Sequence, residues 1–335
     1  MATVGVERVP VQLFGLGWLG FDHLQIVFET GDEQDGWFVL EGLREHRDGK
    51  TYLAVEGRDG GTTLSEANGG RAGEALIDSI GTSSGRGAHW VASGADAVSL
   101  WADLVAMAAD IEDQRLPYIP ASLQSSPLPI INSSSLVASL LHHAGVAIET
   151  ALPSGLRFSP GLNTLIGSSH DDTLAAGHGF TTLLGGPGDD LLIGSDDIGT
   201  IDKLYGGKGN DTFRWSPGTN ILHGGQPSLP YADDGRDTVD YSGAGDIFIE
   251  ALDNIAPHLQ PDFIVTHKTG RDLLFSIEEI TWDDATDRVT FGKGVGLVDR
   301  FPDAAARLDD LPGSRAADFE HGISSESLVD AAAGG

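Results

Sequence analysis

Apolar and polar positions in residues 11 to 56 fall into short runs. VQLFGLGWLG, HLQIVFE, GWFVLEG and TYLAVEG are rich in β-branched and aromatic residues and are separated by the turn sequences TGDEQDG and HRDGK. This texture predicts a meander of antiparallel strands. From Asp96 to Gln114 the period changes. Val98, Trp101, Leu104, Val105, Ala108 and Ile111 recur at three- and four-residue steps, the mark of an amphipathic helix with its stripe in a core. Pro117, Pro120, Pro127 and Pro129 keep the next stretch extended. A second helix is expected from about Ser134 to Ala144, capped by Asn132 or a following serine. Residues 62–94, with many Gly and Ser, read as loop around one short helix, EALIDSI.

Pro153, Gly155, Pro160 and Gly161 break this texture. After them an apolar residue returns every nine positions, at Leu165, Leu174, Leu183 and Leu192, and past a three-residue insertion at Leu204, Phe213 and Leu222. A six-residue turn rich in glycine, followed by a three-residue strand with its central side chain inward, accounts for the spacing. One repeat then makes half a coil, and alternate repeats stack on the same edge. The last turn position reads Asp172, Asp190, Asp211 and, after an irregular stretch, Asp237 on one edge. On the other edge it reads Asn163, Thr181, Asp202 and Asn220, interrupted by the insertion at 195–203.

Composition sharpens this asymmetry. The chain has 335 residues, with 20 Lys and Arg against 50 Asp and Glu, a formal charge of -30. Such a charge argues against nucleic acid and anionic lipid as partners and makes divalent cations the natural ones. Its self-repulsion also opposes compaction, so part of the chain is expected to need bound cation in order to fold. Cysteine is absent, which excludes disulfides, thiolate metal sites and a cysteine nucleophile. The first thirty residues carry no basic segment followed by an apolar one, and no apolar run approaches the roughly 18 residues that span a bilayer. Export through an N-terminal signal is not expected.

GGPGDDLLI (185–193) and GGKGNDTFR (206–214) match the repeats-in-toxin (RTX) form G-G-x-G-x-D-x-U-x at every defined position. Residues 153–243 resemble an RTX β-roll, a family in which calcium lies between stacked turns. The resemblance implies Ca2+ ligation by the side chains of Asp172, Asp190, Asp211 and Asp237. Backbone oxygens of Gly185, Gly186, Pro187, Gly188, Gly206, Gly207, Lys208 and Gly209 would complete two or three sites. Calcium takes six to eight oxygens including carboxylates, so the edge poor in Asp is expected to stay free of metal. DTVDYSGA (237–244) is similar to the end of such arrays, and RDLLFSIEEITWDDATDRVTF to the flank that covers them. Residues 301–335 read as a disordered tail, where many RTX proteins carry a type I secretion signal.

In the first half, His23 opens a strand, and Asn132-Ser133-Ser134-Ser135-Leu136-Val137 opens a helix. The order resembles circularly permuted papain-like hydrolases and acyltransferases of the lecithin retinol acyltransferase type, with Ser133 at the cysteine position. The resemblance implies Ser133 as nucleophile, His23 as base and Glu41 orienting the imidazole. A serine must lose its proton during attack, whereas a thiol can be held as thiolate, so an inactive fold is the alternative. Gly81-Thr82-Ser83-Ser84-Gly85 satisfies the G-x-S-x-G string of lipases, but its flanks lack the required strand and helix. His89, beside Trp90, reads as a packed strand residue or a spare candidate base. His142 and His143 are adjacent on a helix and point about 100° apart, so they cannot face one metal.

The expected organisation is multidomain. An α+β domain of antiparallel strands on two helices (1–152) precedes an all-β parallel β-roll (153–243), a β flank (244–300) and a tail (301–335). The expected function is that of an extracellular, type I-secreted calcium-binding protein. Its first domain is either a hydrolase or acyltransferase on ester or amide bonds, or a binding module without chemistry.

Overall fold

The protein is described by a computed structural model covering residues 1–12, 22–31, 36–71, 79–80, 84–85, 87–120, 129–156, 159–177, 181–225, 235–252, 261–283 and 288–291. Ser83 and the tail at 301–335 lie outside the described residues. The chain is mostly β, in several sheets, with four helices among the described residues. It divides into two compact units, Met1–Ser169 and His170–Gly335.

In the first unit the strands are β1 (Thr3–Gln12), β2 (Asp22–Glu29), β3 (Trp37–Arg47), β4 (Lys50–Glu56), β5 (Ser79–Ile80) and β6 (His89–Ser93). They form an antiparallel sheet in the order β4-β3-β2-β1-β5, with β6 also on β1. The helices are α1 (Leu64–Arg71), α2 (Ala95–Asp113), α3 (Ser133–His143) and α4 (Ile148–Ala151). Side chains alternate across a strand, and both faces are covered. Val4, Val6, Leu24, Ile26, Leu40, Leu53 and Val55 are buried on one face. There Phe28 stacks on Trp101 of α2 at 5.2 Å, and α3 packs at Gly42. Val27 and Val39, on the other face, form a buried cluster with Leu64 and Ala67 of α1.

The α2 stripe is shifted from the sequence expectation. Ala97, Trp101, Leu104, Ala108 and Ile111 are buried, whereas Val98 is 54% exposed. Asn132 caps α3 in a reciprocal box, its side chain accepting from Ser134 N and Ser135 N while Asn132 N donates to Ser135 Oγ. The helix expected at 74–80 is not found where it can be checked. Residues 74–78 are outside the described ones, Ser79–Ile80 pairs with β1, and the helix of this region is α1.

The boundary between units falls after Ser169, later than the expected break after residue 152. Strand β7 (Thr164–Ile166), the first of the nine-residue periods, is tied to α3, because Ile166 N donates to Ser139 Oγ and His143 Nε2 to Ile166 O. Gln114 Nε2 donates to Gly167 O, and Ser169 N to Asp110 Oδ2. Local polar bonds with the helices thus hold a segment whose sequence reads as repeat.

The second unit is built from two ladders of parallel strands. One contains β8 (Thr173–Ala175), β10 (Leu191–Ile193), β12 (Thr212–Arg214), β14 (Thr238–Asp240) and β18 (Glu279–Thr281). The other contains β9 (Thr182–Pro187), β11 (Ile201–Lys208), β13 (Thr219–His223) and β17 (Gly270–Phe275). Leu174, Leu192, Phe213, Val239 and Ile280 meet in register in the first; Leu183, Leu204, Leu222 and Leu274 do so in the second. All nine are buried. Strands β9 and β11 run further than three residues, because Gly186 pairs with Gly207 and Pro187 with Lys208.

The flank does more than cover an end. β17 and β18 add a further turn to both ladders, and β16 (Phe263–His267) joins β17 and β15 (Asp246–Ala251) antiparallel. β19 (Arg288–Phe291) lies parallel to β15. No helix among the described residues is long and apolar enough to cross a membrane.

Candidate functional site

Strands β8, β10, β12 and β14 are each preceded by the last residue of a turn, and these stack in one column: Asp172, Asp190, Asp211 and Asp237. The column is tied lengthwise. Asp172 N donates to Asp190 Oδ1 at 2.7 Å, Asp190 N to Asp211 Oδ1 at 2.9 Å and Asp211 N to Asp237 Oδ1 at 2.9 Å. Asp237 N donates to Glu278 Oε2 at 2.9 Å, so a fifth carboxylate comes from the flank. Glu278 escaped the sequence reading because FSIEEIT has no glycine; its signal was position alone, two residues before an apolar Ile280.

A second ladder runs one residue earlier. Asp189 N donates to Asp171 Oδ1, Asn210 N and Nδ2 to Asp189 Oδ1, and Arg236 N to Asn210 Oδ1. These bonds fix the stagger of successive turns, and with it the direction of each carboxylate in the inner column.

The second oxygens of that column turn toward the glycines of the turns. Asp190 Oδ2 is buried with no hydrogen-bond partner among the described residues. A methyl at Gly185 would collide with Asp190 Oδ2 and lie 2.5 Å from Gly206 O. One at Gly206 would collide with Asp211 Oδ2 and lie 2.6 Å from Gly224 O. Gly206→Ala is therefore expected to destabilise the second unit by about 1–3 kcal/mol, through overpacking of a filled site. Gly177→Ala, where nothing lies within 4 Å, is the control; urea denaturation of both compares them.

Burial, followed by the charges of Asp172, Asp171 and Asp189, pushes the Asp190 carboxyl up to about 7 against the lowering effect of the Asp172 N–H. A buried carboxylate oxygen facing carbonyls, with no donor, suits a hard cation. Among the described residues no three Asp, Glu or His side chains gather into a metal-holding group. Most donors for an ion in this column would therefore come from the backbone, from the oxygens of residues 185–188 and 206–209. Gly188 N donates to Lys208 O, which leaves that carbonyl a second lone pair.

The other edge is filled by the protein. Asp202 Oδ2 accepts from Ser195 N and Oγ, at 2.6 and 2.9 Å, and its Oδ1 from Thr200 Oγ1 at 3.3 Å. Asn220 donates through N and Nδ2 to Asp272 Oδ1, and Tyr241 OH donates to Asp272 Oδ2. The insertion at 195–203 thus supplies the hydroxyls that occupy Asp202.

In the first unit His23 and Glu41 meet, Nε2 to Oε2, at 2.8 Å, and both are buried. They share a sheet face with Gln25, whose Nε2 donates to Glu7 Oε2 at 3.0 Å. Register aligns Glu7, Gln25, Glu41 and Glu56 across four strands. Glu7 was missed because TVGVERV was not read as a strand. Against an ionised Glu41, which only accepts, the contact is a hydrogen bond donated by His23 Nε2.

Ser133 is not brought to this pair. A methyl at Gly42 would lie 2.9 Å from Ser133 Cα, which places the start of α3 on the Gly42 side of β3. Glu41, the neighbour of Gly42, points to the other side, and no hydrogen bond joins Ser133 Oγ to His23 or Glu41. His89 is exposed on β6. The rings of His142 and His143 stand edge to face, with centroids 5.8 Å apart and planes at 83°. Comparison of the chain with known protein families, with curated proteins and with solved structures gives no match.

Proposed function

We propose that the chain is an exported calcium-binding protein of the repeats-in-toxin type, whose second unit is a β-roll that takes calcium on one edge. The observation that supports this most is Asp190 Oδ2, buried without a donor beside the carbonyl of Gly206. The donors are hard oxygens throughout, which suits calcium over softer metals. Side chains of Asp172, Asp190, Asp211 and Asp237 and turn carbonyls at 185–188 and 206–209 would hold the ions. Bound calcium would neutralise the carboxylate column and bridge successive turns. The formal charge of -30 fits such a partner. Extracellular location and the type I export machinery enter through the RTX resemblance.

The test is a calcium titration of the chelator-treated protein followed by circular dichroism. A cooperative gain of β signal is expected at about 10⁻⁴–10⁻³ M, the range of extracellular calcium modules. Magnesium, which needs tighter octahedral geometry, should not replace it. A spectrum that ignores calcium over that range refutes the reading.

A second reading, of hydrolytic or acyl-transfer chemistry in the first unit, has its own support in the buried His23–Glu41 pair. Its base would be Nδ1 of His23, with Glu41 stabilising the imidazolium. p-Nitrophenyl acetate hydrolysis provides the assay. Loss of at least about a hundredfold in His23→Ala is expected, the scale of a general base, with Glu41→Gln also impaired. An unchanged rate in Ser133→Ala would point to water as nucleophile; its loss would bring α3 into the mechanism. Activity equal to buffer in the wild type leaves the unit as a binding module without chemistry.

A further inference from the structure

The two edges of the second unit close in different ways. On the column edge five carboxylates follow one another at the strand spacing of about 4.8 Å, and like charges at that distance repel. The other edge has its carboxylates spent on protein donors. Asp202 Oδ2 takes two hydrogen bonds from Ser195, and the Thr200 hydroxyl is shared between Asp202 Oδ1 and Asp197 O. Asp272 takes two from Asn220 and one from Tyr241, which is fully buried. A methyl at Gly194 would meet the hydroxyl of Ser216, with Asn220 Oδ1 and Asp202 Oδ2 each 3.1 Å away, whereas one at its counterpart Gly185 meets the acceptor oxygens of Asp190 and Gly206.

We infer that this second edge forms without calcium and presets the first, so that Asp202, Asn220, Asp272 and Tyr241 are positioning residues for ions they do not touch. The inference rests on the calcium reading. The strands of both ladders are shared between the edges, because each turn of one edge leads into the strand that starts the next turn of the other. When the second edge is closed, the donors of the first already lie near their bound positions. Calcium then orders only half of each coil. Apparent affinity scales with the fraction of protein in the competent arrangement, so loosening the second edge weakens calcium binding from a distance.

Amide hydrogen exchange of the full chain, by NMR in excess chelator and in calcium, separates the possibilities. In chelator, amides of Ser195, Lys203 and Asn220 are expected to exchange at least tenfold more slowly than those of Asp190, Asp211 and Asp237; in calcium both sets are protected. Simultaneous loss at both edges in chelator overturns the inference and leaves the calcium reading standing. Protection that does not depend on calcium at either edge overturns the calcium reading itself.

A calcium titration of Tyr241→Phe gives a second readout. Its midpoint should rise by roughly tenfold while the calcium-saturated spectrum matches wild type, as a shift in the competent fraction requires. Asp202→Asn, which keeps the side-chain shape, is expected to act in the same direction. Unchanged midpoints in both variants overturn the positioning role, and so does an equal loss of structure with and without calcium.

Discussion

Asp190→Ala is expected to raise the calcium midpoint by roughly tenfold or more, about 1.4 kcal/mol, and Asp211→Ala to do the same. Thr181→Ala, on the hydrogen-bonded edge, should move it less than about twofold, which is under about 0.5 kcal/mol. Each Asp does two things. One oxygen holds the N–H of the preceding turn, as Asp190 Oδ1 holds Asp172 N, and the other faces the carbonyls. Asp190→Asn separates these roles. The amide keeps an acceptor for Asp172 N and gains a donor toward the Gly206 carbonyl, so the calcium-free fold should become more stable while calcium dependence falls. Opposite signs with and without calcium distinguish a ligand from a structural residue. Equal effects from both edges would contradict the parity of the column.

In chelator, stability of the second unit should fall as pH rises. The Asp190 carboxyl sits at about 7 in the folded protein against 3.8 for the free group, first through burial and then through Asp172, Asp171 and Asp189. Because the folded state holds this proton more tightly, its stabilisation is full below pH 3.8 and is lost as pH climbs to about 7. The difference amounts to on the order of 4 kcal/mol. Calcium favours the ionised form and should flatten or reverse the trend. Urea midpoints at pH 5 and pH 8, each with calcium and with chelator, measure it; identical chelator midpoints would sink the assignment.

Much of the second unit is legible in the sequence because its signal is periodic. The apolar residues from Leu174 to Leu222 named by the nine-residue spacing are all buried, and the parity of Asp172, Asp190, Asp211 and Asp237 puts them in one hydrogen-bonded column. Glu278 was invisible for the complementary reason. It reaches the column through a turn without glycine, and only the pairing of β18 with β14 shows that it belongs there. The compact units divide after Ser169, where Ser139 and His143 bond Ile166, and spacing does not report such bonds.

The first unit was harder. The resemblance nominates His23 and Glu41, but the side of the sheet that each faces depends on register, where a one-residue shift exchanges the faces. That is why the His23–Glu41 pair is found together while Ser133 packs against Gly42 on the reverse side. Glu7 joins the buried row beside Gln25 through a partner strand, β1, whose Pro10 and charged residues hide its alternation.

The lengthwise bonds of the carboxylate column all run one way: each N–H belongs to an earlier turn and each acceptor to a later one, ending at Glu278. A ribosome delivers donors before acceptors. Translation of this chain therefore leaves the column open at its growing end until residue 278 has emerged.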